Sequence, residues 1–253
     1  MNYWHVFNTN LSELFNPYME YNETFRKAGV QKAIDYITRH NPTALNPINE
    51  ENGWTIGTGA TAFNIEAPGG HSGPGTGGFT TKLFWDYYDF TRDTQLLKEH
   101  VYPALLGISK FLSKTLKEQP DGTLLVDPSF SPEQKHNKQY YRTKGCIFDQ
   151  SMILETYQDL LKAAKILNSR DPFLKTVKEQ IGKLDAIKIG ESGQIKEFRE
   201  ETKYGEIGEY THRHISHLCA LYPGTTINNN TPEWMKAAII TLNKRGDKST
   251  GWA

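Results

Sequence analysis

The sequence predicts an all-α fold built from helical hairpins, with short β-strands confined to the loops. Apolar residues recur at helical spacing in several separate stretches, and most of these stretches are followed by glycine- or proline-containing loops. Strands and helices do not alternate in the way that builds a parallel sheet. Residues 1–253 are therefore expected to form a single domain of successive αα-hairpins.

The first predicted unit is helical and is followed by a long loop. Apolar positions in residues 11–40 have helical spacing around a break at Gly29, which indicates one long helix or two consecutive helices. Pro42 and Pro47 end this unit. Residues 41–78 contain nine glycines and predict a loop, and a loop of that length in a compact domain is usually functional or disordered.

The remaining elements have ends that are marked by caps and prolines. The helical pattern resumes at Thr80, and Asp93 is the expected N-cap of a helix over residues 94–101. Pro103 opens the next helix, and residues 123–126 predict a short strand. Further helices are predicted over residues 149–167, 172–184 and 232–244, the last with Thr231 as its N-cap.

The composition disfavours several classes of partner and site. Lys+Arg and Asp+Glu each number 29, so the formal net charge is zero and no basic excess favours nucleic acid. No stretch approaches the roughly 18 consecutive apolar residues of a membrane helix, and no signal peptide is visible, which leaves the compartment open. Cys146 and Cys219 form no Cys-x-x-Cys pair and are predicted to be core thiols. No metal or cofactor is predicted.

The first candidate site is the segment of residues 209–224. It holds three histidines and one arginine within a few residues: His212, Arg213, His214 and His217. A helix that begins near Arg213 or His214 would place His214 and His217 on one face and bury the apolar residues that follow. Zinc needs three converging ligands, and only two of the histidines would share a face, so a zinc site is not expected. The alternative is an ordinary helix start in which Thr211 is the cap.

The second candidate site is Glu133, at the end of Asp127-Pro-Ser-Phe-Ser-Pro-Glu133. Two prolines stiffen this loop directly after the predicted strand, so the carboxylate should have a defined place. Phe130, Tyr140 and Tyr141 are near in sequence and could shield it from water. The alternative is a surface carboxylate, because the residues that follow are polar.

Both candidate segments resemble glycoside hydrolase family 95, which contains α-L-fucosidases and related enzymes. The resemblance rests on His212-Arg-His-x-Ser-His-Leu218 with Leu221-Tyr-Pro-Gly224, and on a Ser-Pro-Ser-x-Ser-Pro-Glu phrase from which this chain departs only at Asp127. It extends to the Met-Asn-Tyr-Trp opening and to Arg245-Gly-Asp-x-Ser-Thr-Gly-Trp252. It implies an (α/α)6 barrel, a toroid of helical hairpins of which this chain would hold roughly the middle.

The resemblance also implies roles for single residues. Glu133 would be the general acid of an inverting enzyme that removes terminal α-L-fucose, or a related sugar such as α-L-galactose, from oligosaccharides. Arg213 and His214 would bind the sugar hydroxyls. Further substrate-binding candidates are Asn2, Trp4 and Trp252. The water-activating asparagines and their assisting carboxylate would lie outside this chain, so the chain alone is expected to be inactive and to need the rest of its polypeptide at both ends.

Two other functions stay open at this point. A non-catalytic carbohydrate-binding module or pseudo-enzyme would keep the pocket without the water-activating groups. An α-solenoid scaffold would show a repeat of fixed length, and none is found. The resemblance implies an acidic residue in residues 57–63, and this chain has none there, so the sequence does not determine the sugar.

Overall fold

The computed structural model describes residues 2–61 and 63–247, and they form a mostly helical fold, which confirms the all-α prediction. The helices are α1 (Asn16–His40), α2 (Gly75–Thr91), α3 (Thr94–Leu96), α4 (Tyr102–Thr115), α5 (Ile147–Ile166), α6 (Phe173–Ile181) and α7 (Pro232–Arg245). Strands β1 (Leu116–Glu118) and β2 (Leu124–Val126) pair antiparallel, as do β3 (Lys135–His136) and β4 (Gln139–Tyr140). Short 3-10 turns occupy Ser12–Phe15, Pro42–Ala44, Asn49–Asn52 and Ser216–Leu218. None of these helices is both long and apolar enough to cross a bilayer.

The elements with local sequence signals lie where they were predicted. Helix α5 and strand β2 match the expected spans within about two residues. Asp93 caps α3, because its carboxylate accepts hydrogen bonds from Gln95 N (2.9 Å) and Leu96 N (3.1 Å). Pro103 lies in the first turn of α4, and a π-helical turn, Leu97–Val101, joins α3 to α4. The two predicted helices are therefore one continuous helical stretch.

Thr231 precedes α7 as predicted, but its side chain does not cap the helix. Its hydroxyl donates to the carbonyl oxygens of Thr226 and Asn228, both at 3.0 Å. The hydroxyl also accepts a hydrogen bond from Asn228 N (2.9 Å). Thr231 therefore closes the preceding turn.

Helix α1 continues through Gly29 without the predicted break. A side chain at this position would lie 3.0 Å from Thr55 O, and Gly29 O accepts a hydrogen bond from Thr55 N (3.1 Å). The glycine lets the chain at Thr55 approach the helix backbone. Close packing therefore explains the residue better than a helix end does.

Helix α2 begins at Gly75, five residues before the predicted start at Thr80. A Cβ on Gly77 would overlap the side chain of Ile108 on α4, and one on Gly78 would lie 2.6 Å from Thr156 Oγ1 on α5. Glycine lowers helix propensity by about 1 kcal/mol relative to alanine, which is why the sequence pattern indicated a loop. Here the glycines allow the first turn of α2 to pack between α4 and α5.

Helices α1, α2, α4 and α5 enclose the largest buried cluster. Its fully buried members include Phe15, Ile37, Phe84, Ile108, Phe111 and Tyr157. A second cluster lies below α7, and a third, around Cys146 and Phe148, lies beside the start of α5. The segment 209–224 packs against the last two clusters, through Leu218 and Ala220 in the second and Cys219 at the third.

A buried ion-pair network lies between α2 and α5. Lys82 Nζ is 2.7 Å from Asp159 Oδ2 and 3.6 Å from Glu155 Oε2, and all three side chains are buried. Glu155 also accepts hydrogen bonds from the backbone amides of Thr225 and Thr226, both at 2.7 Å. Helix α5 therefore holds the loop that follows segment 209–224.

The predicted helix in segment 209–224 is wrong. Only Ser216–Leu218 is helical there, as a single 3-10 turn, and the rest consists of turns and irregular backbone. Bonds to distant residues fix this backbone: Arg245 donates to His212 O, and Ser216 Oγ donates to Pro132 O (3.1 Å). The two histidines expected on one face have different surroundings, because His214 lines a cavity and His217 is fully buried.

Candidate active site

A cavity of about 600 Å³ lies where the loop of Glu133, the start of α2 and segment 209–224 meet. This volume is in the range of small-molecule sites. The cavity lining includes both polar and apolar side chains. The polar lining comprises Thr58, Ser72, Thr76, Glu133, Arg213, His214 and Ser216, and the apolar lining includes Trp4, Phe79, Phe148, Leu218, Leu221 and Tyr222.

Glu133 meets Arg213 and His214 in the cavity lining, although it lies 80 residues before Arg213 in sequence. Arg213 Nη2 donates to Glu133 Oε2 in an ion pair, and His214 Nε2 lies 3.9 Å from the same oxygen. The side chain of Glu133 is 31% exposed and that of His214 is 12% exposed. Glu133 is the one carboxylate among the lining residues within the described ranges.

Asp149, at the start of α5, holds the loop that precedes Glu133. Its buried carboxylate accepts hydrogen bonds from Ser129 Oγ (2.6 Å), Phe130 N (3.1 Å) and Gly75 N (2.7 Å). Burial raises the pKa of Asp149 to about 6, against the lowering effect of these hydrogen bonds. One side chain therefore joins the Glu133 loop and the start of α2 to α5.

Glu197 is a buried residue beneath the site that the sequence did not indicate. Its carboxylate accepts hydrogen bonds from Ser131 Oγ (2.5 Å) and Gln134 Nε2 (3.0 Å), the residues on either side of Glu133 and Pro132. His217 Nδ1 lies 3.3 Å from Glu197 Oε2. Burial alone would raise the pKa of Glu197, but His217 and the hydrogen bond from Ser131 hold it below the usual value. Its partners lie 20 to 66 residues away, so no local pattern could have indicated it.

A layer of aromatic and basic side chains lies behind His217. The Tyr204 ring stacks on the His217 ring at a centroid distance of 4.6 Å, and Arg245 Nη1 donates to Tyr204 Oη (2.5 Å). Neither ring nitrogen of His217 has an aligned hydrogen bond within the described residues, so its contact with Glu197 is electrostatic. Arg245, from the third motif of the resemblance, therefore supports the site from behind.

Trp4 is among the residues that line the cavity. Its ring makes edge-on contacts with Tyr222 (5.0 Å between centroids) and Phe79 (5.5 Å). Contact between Trp4 and a sugar stays a prediction. Asn2 is exposed and does not line the cavity, and Trp252 lies outside the described residues.

The two cysteines differ in their surroundings. Cys146 is fully buried, as predicted, whereas Cys219 is half-buried and lines the cavity. Burial raises the pKa of Cys219 to about 12, so its thiol is protonated near neutral pH. It is therefore a neutral wall residue and not an activated nucleophile.

Two of the three aromatic residues expected to shield Glu133, Tyr140 and Tyr141, have other partners. Tyr140 Oη lies 3.1 Å from His71 Nδ1, and Tyr141 Oη donates to Glu200 (2.9 Å). Phe148 and Pro132 are among the apolar residues that line the cavity together with Glu133. No group of three or more metal-binding side chains occurs in the part of the chain that the structure describes.

Comparison with known proteins gives matches along the whole chain. A family model, the glycosyl hydrolase family 95 catalytic domain, matches residues 1–253. The chain is 29% identical to alpha-L-fucosidase 2 of Arabidopsis thaliana and 31% identical to the probable alpha-fucosidase A of Aspergillus niger, and 100% of this chain is matched in both. A further match, 37% identical over 47% of this chain, is the probable alpha-fucosidase A of Aspergillus oryzae. The chain spans 30% and 32% of the length of the first two relatives.

Proposed function

This chain belongs to glycoside hydrolase family 95, and we propose that it contributes the general acid and sugar-binding residues to an active site. That site would remove terminal α-L-fucose from oligosaccharides. A related sugar such as α-L-galactose is the alternative substrate in this proposal. The names of the relatives support the choice of sugar. The observation that carries the proposal is the meeting of Glu133, Arg213 and His214 in the cavity lining.

Glu133 is the proposed general acid. Hydrolysis of a glycoside needs a proton for the leaving oxygen, and a carboxyl group normally provides it. Hydrogen bonds at Ser131 and Gln134 fix the loop on both sides of Glu133, so its carboxyl has a defined position. The cavity, with its ion-paired carboxylate, favours an enzyme over a scaffold.

Arg213 and His214 are the proposed ligands of the sugar hydroxyls. A guanidinium offers several donors in one plane, which suits neighbouring hydroxyl groups. A hydroxyl that accepts from Arg213 would replace the Glu133 carboxylate as its partner. Glu133 would then face the glycosidic oxygen. Binding of the sugar would therefore also break the ion pair between Glu133 and Arg213.

The attacking water needs other groups. Direct inversion requires a base about 6.5–9.5 Å from the acid, and the lining residues of the described ranges include no second carboxylate. We therefore place the water-activating groups outside the described residues. Inversion itself is part of the proposal and follows from the family resemblance.

The described helices are proposed to form part of an (α/α)6 barrel within one catalytic domain. Apolar side chains on the outer faces of α7 and α2, such as Ile239 and Phe90, are 51% and 55% exposed. Such residues are compatible with neighbours from the rest of the polypeptide. The rest of the polypeptide is thus a proposed partner of this chain, together with the oligosaccharide substrate.

Replacement of Glu133 by glutamine in the full-length protein tests the proposal. Glu133→Gln should lower the rate on fucosides with poor leaving groups by about 10²–10⁴-fold, and the rate on activated aryl fucosides much less. Glu200→Gln is a matched control, because Glu200 contacts Tyr141 and Thr143 and does not line the cavity. Near-normal rates of Glu133→Gln on both substrates would exclude it as the acid. Binding of L-fucose without any hydrolysis by the wild type would instead identify a pseudo-enzyme.

A further inference from the structure

We propose that Glu197 is a positioning residue that fixes Glu133 relative to Arg213 and His214. The inference rests on the proposed role of Glu133 as the acid. Glu197 does not line the cavity, and its side chain is buried. Its effect on the reaction would therefore pass through the residues that it contacts.

The Glu197 carboxylate holds the acid loop on both sides of Glu133. Ser131 donates to Oε1 and Gln134 donates to Oε2, so the two oxygens have separate partners. The Gln134 side chain also accepts a hydrogen bond from Glu209 N (2.8 Å), and a Cβ on Gly208 would lie 2.5 Å from the same Gln134 oxygen. This packing leaves Gln134 little freedom to move, and Glu133 lies next to it in the chain.

Glu197 also contacts the segment that carries the proposed sugar ligands. His217, three residues after His214, lies 3.3 Å from the same Oε2 that accepts from Gln134. Ser216 adds a direct bond to the acid loop through Pro132 O. A single carboxylate therefore touches both segments, and the distance between acid and sugar ligands depends on it.

A second buried carboxylate holds the backbone of Glu197 in place. Glu201 Oε1 accepts hydrogen bonds from Glu197 N (2.6 Å) and Phe198 N (3.2 Å), and Oε2 accepts from Gly205 N (3.2 Å). The backbone of Glu197 is thus fixed by its own loop, independently of the contacts that its side chain makes with the acid loop. Such rigidity matters because a displacement of about 1 Å in a catalytic group can lower the rate about 10²-fold.

The test uses the full-length protein and two substrates that differ in leaving group. Glu197→Gln keeps the side-chain size, removes the charge and presents an NH₂ group to one of the present donors. Its kcat on a fucosyl oligosaccharide is expected to fall about 10- to 100-fold, with a much smaller fall on dinitrophenyl α-L-fucoside. A purely structural loss would lower both rates by the same factor, because only the folded fraction would change.

Two further variants keep the test decisive. Ser131→Ala removes one contact of Glu197 and leaves its contacts with Gln134 and His217 in place, so it should fold and show the same leaving-group dependence with a smaller effect. Asp159→Asn is the matched control, because this buried carboxylate pairs with Lys82 and does not touch the cavity. It should lower Tm without changing the ratio of the two rates.

The two proposals can fail separately. If wild type hydrolyses both substrates, but Glu197→Gln and Ser131→Ala lose the two activities equally or not at all, the positioning role is refuted and the proposed function stands. If wild type hydrolyses neither substrate, the proposed function is refuted and the positioning role with it.

Discussion

Substitution of Gly78 by alanine tests whether the first turn of α2 is as closely packed as the structure indicates. An added Cβ would lie 2.6 Å from Thr156 Oγ1 and 2.9 Å from Met152 O on α5. The Thr156 hydroxyl is itself bonded to Met152 O (2.6 Å), so neither atom can move alone. Relief of these contacts requires α2 and α5 to separate by several tenths of an ångström.

The expected change is the sum of two opposing effects. Alanine in place of a helical glycine gains about 1 kcal/mol of helix propensity. Overpacking of a buried helix contact costs about 1–3 kcal/mol. We expect the cost to exceed the gain, because one of the two nearest atoms belongs to the backbone. Gly78→Ala should therefore lower the free energy of unfolding by up to about 2 kcal/mol.

Gly182→Ala is the matched control in the same protein. Gly182 has a right-handed helical conformation at the end of α6, and an added Cβ would lie at an ordinary 3.6 Å from Glu179 O. This variant should gain about 0.4–1 kcal/mol, because it restricts the unfolded chain without strain. Urea denaturation with equal m-values measures both changes. A gain for Gly78→Ala similar to that of the control would refute close packing between α2 and α5.

Three further predictions concern the site. Arg213→Ala and His214→Ala in the full-length protein should each weaken L-fucose binding in calorimetry, while Tm stays near that of the wild type. If one variant unfolds and the other binds L-fucose normally, the two residues have a structural role instead. The 253-residue chain assayed alone should not hydrolyse an aryl α-L-fucoside. Its cavity, as far as the described residues line it, offers one carboxylate, and catalytic groups that act together lose most of their effect when one of them is missing. Turnover close to that of the full-length enzyme would place the water-activating groups within this chain. The stability deficit of Glu197→Gln should be largest at neutral pH and shrink as pH falls below the ordinary value of 4.5, since a carboxylate with a lowered folded-state pKa stabilises only while ionised. A deficit that stays constant in urea titrations from pH 7 to pH 3 would contradict this.

The elements that the sequence predicted well are those with local signals. Helix α5 has a regular apolar stripe, α4 has a proline in its first turn, and α3 has an aspartate cap. Each signal acts within a few residues, so a single sequence is enough to detect it. Glu133 and Arg213 were indicated in a different way, by long motifs that resemble one family.

The features that the sequence could not indicate depend on distant partners. Glycines at the start of α2 resemble loop residues until the surfaces of α4 and α5 are known. Histidine spacing in segment 209–224 predicted a helix, but bonds from Arg245 and to Pro132 fix another backbone. Glu197 lies in a charged stretch that resembles a solvent-exposed one, and its burial follows only from contacts with Ser131, Gln134 and His217.

Helix α5 also fixes the distance between two loops near the cavity, because both are attached to it. Asp149 attaches the acid loop to it, and Glu155, six residues later, attaches the loop that follows Tyr222. Six residues of α-helix correspond to a rise of about 9 Å. Insertion or deletion of one residue between these two carboxylates would rotate one of them by about 100° around the helix axis. That carboxylate would then lose its hydrogen bonds to the loop that it holds. These two turns of α5 therefore cannot change in length without the loss of one of the two attachments.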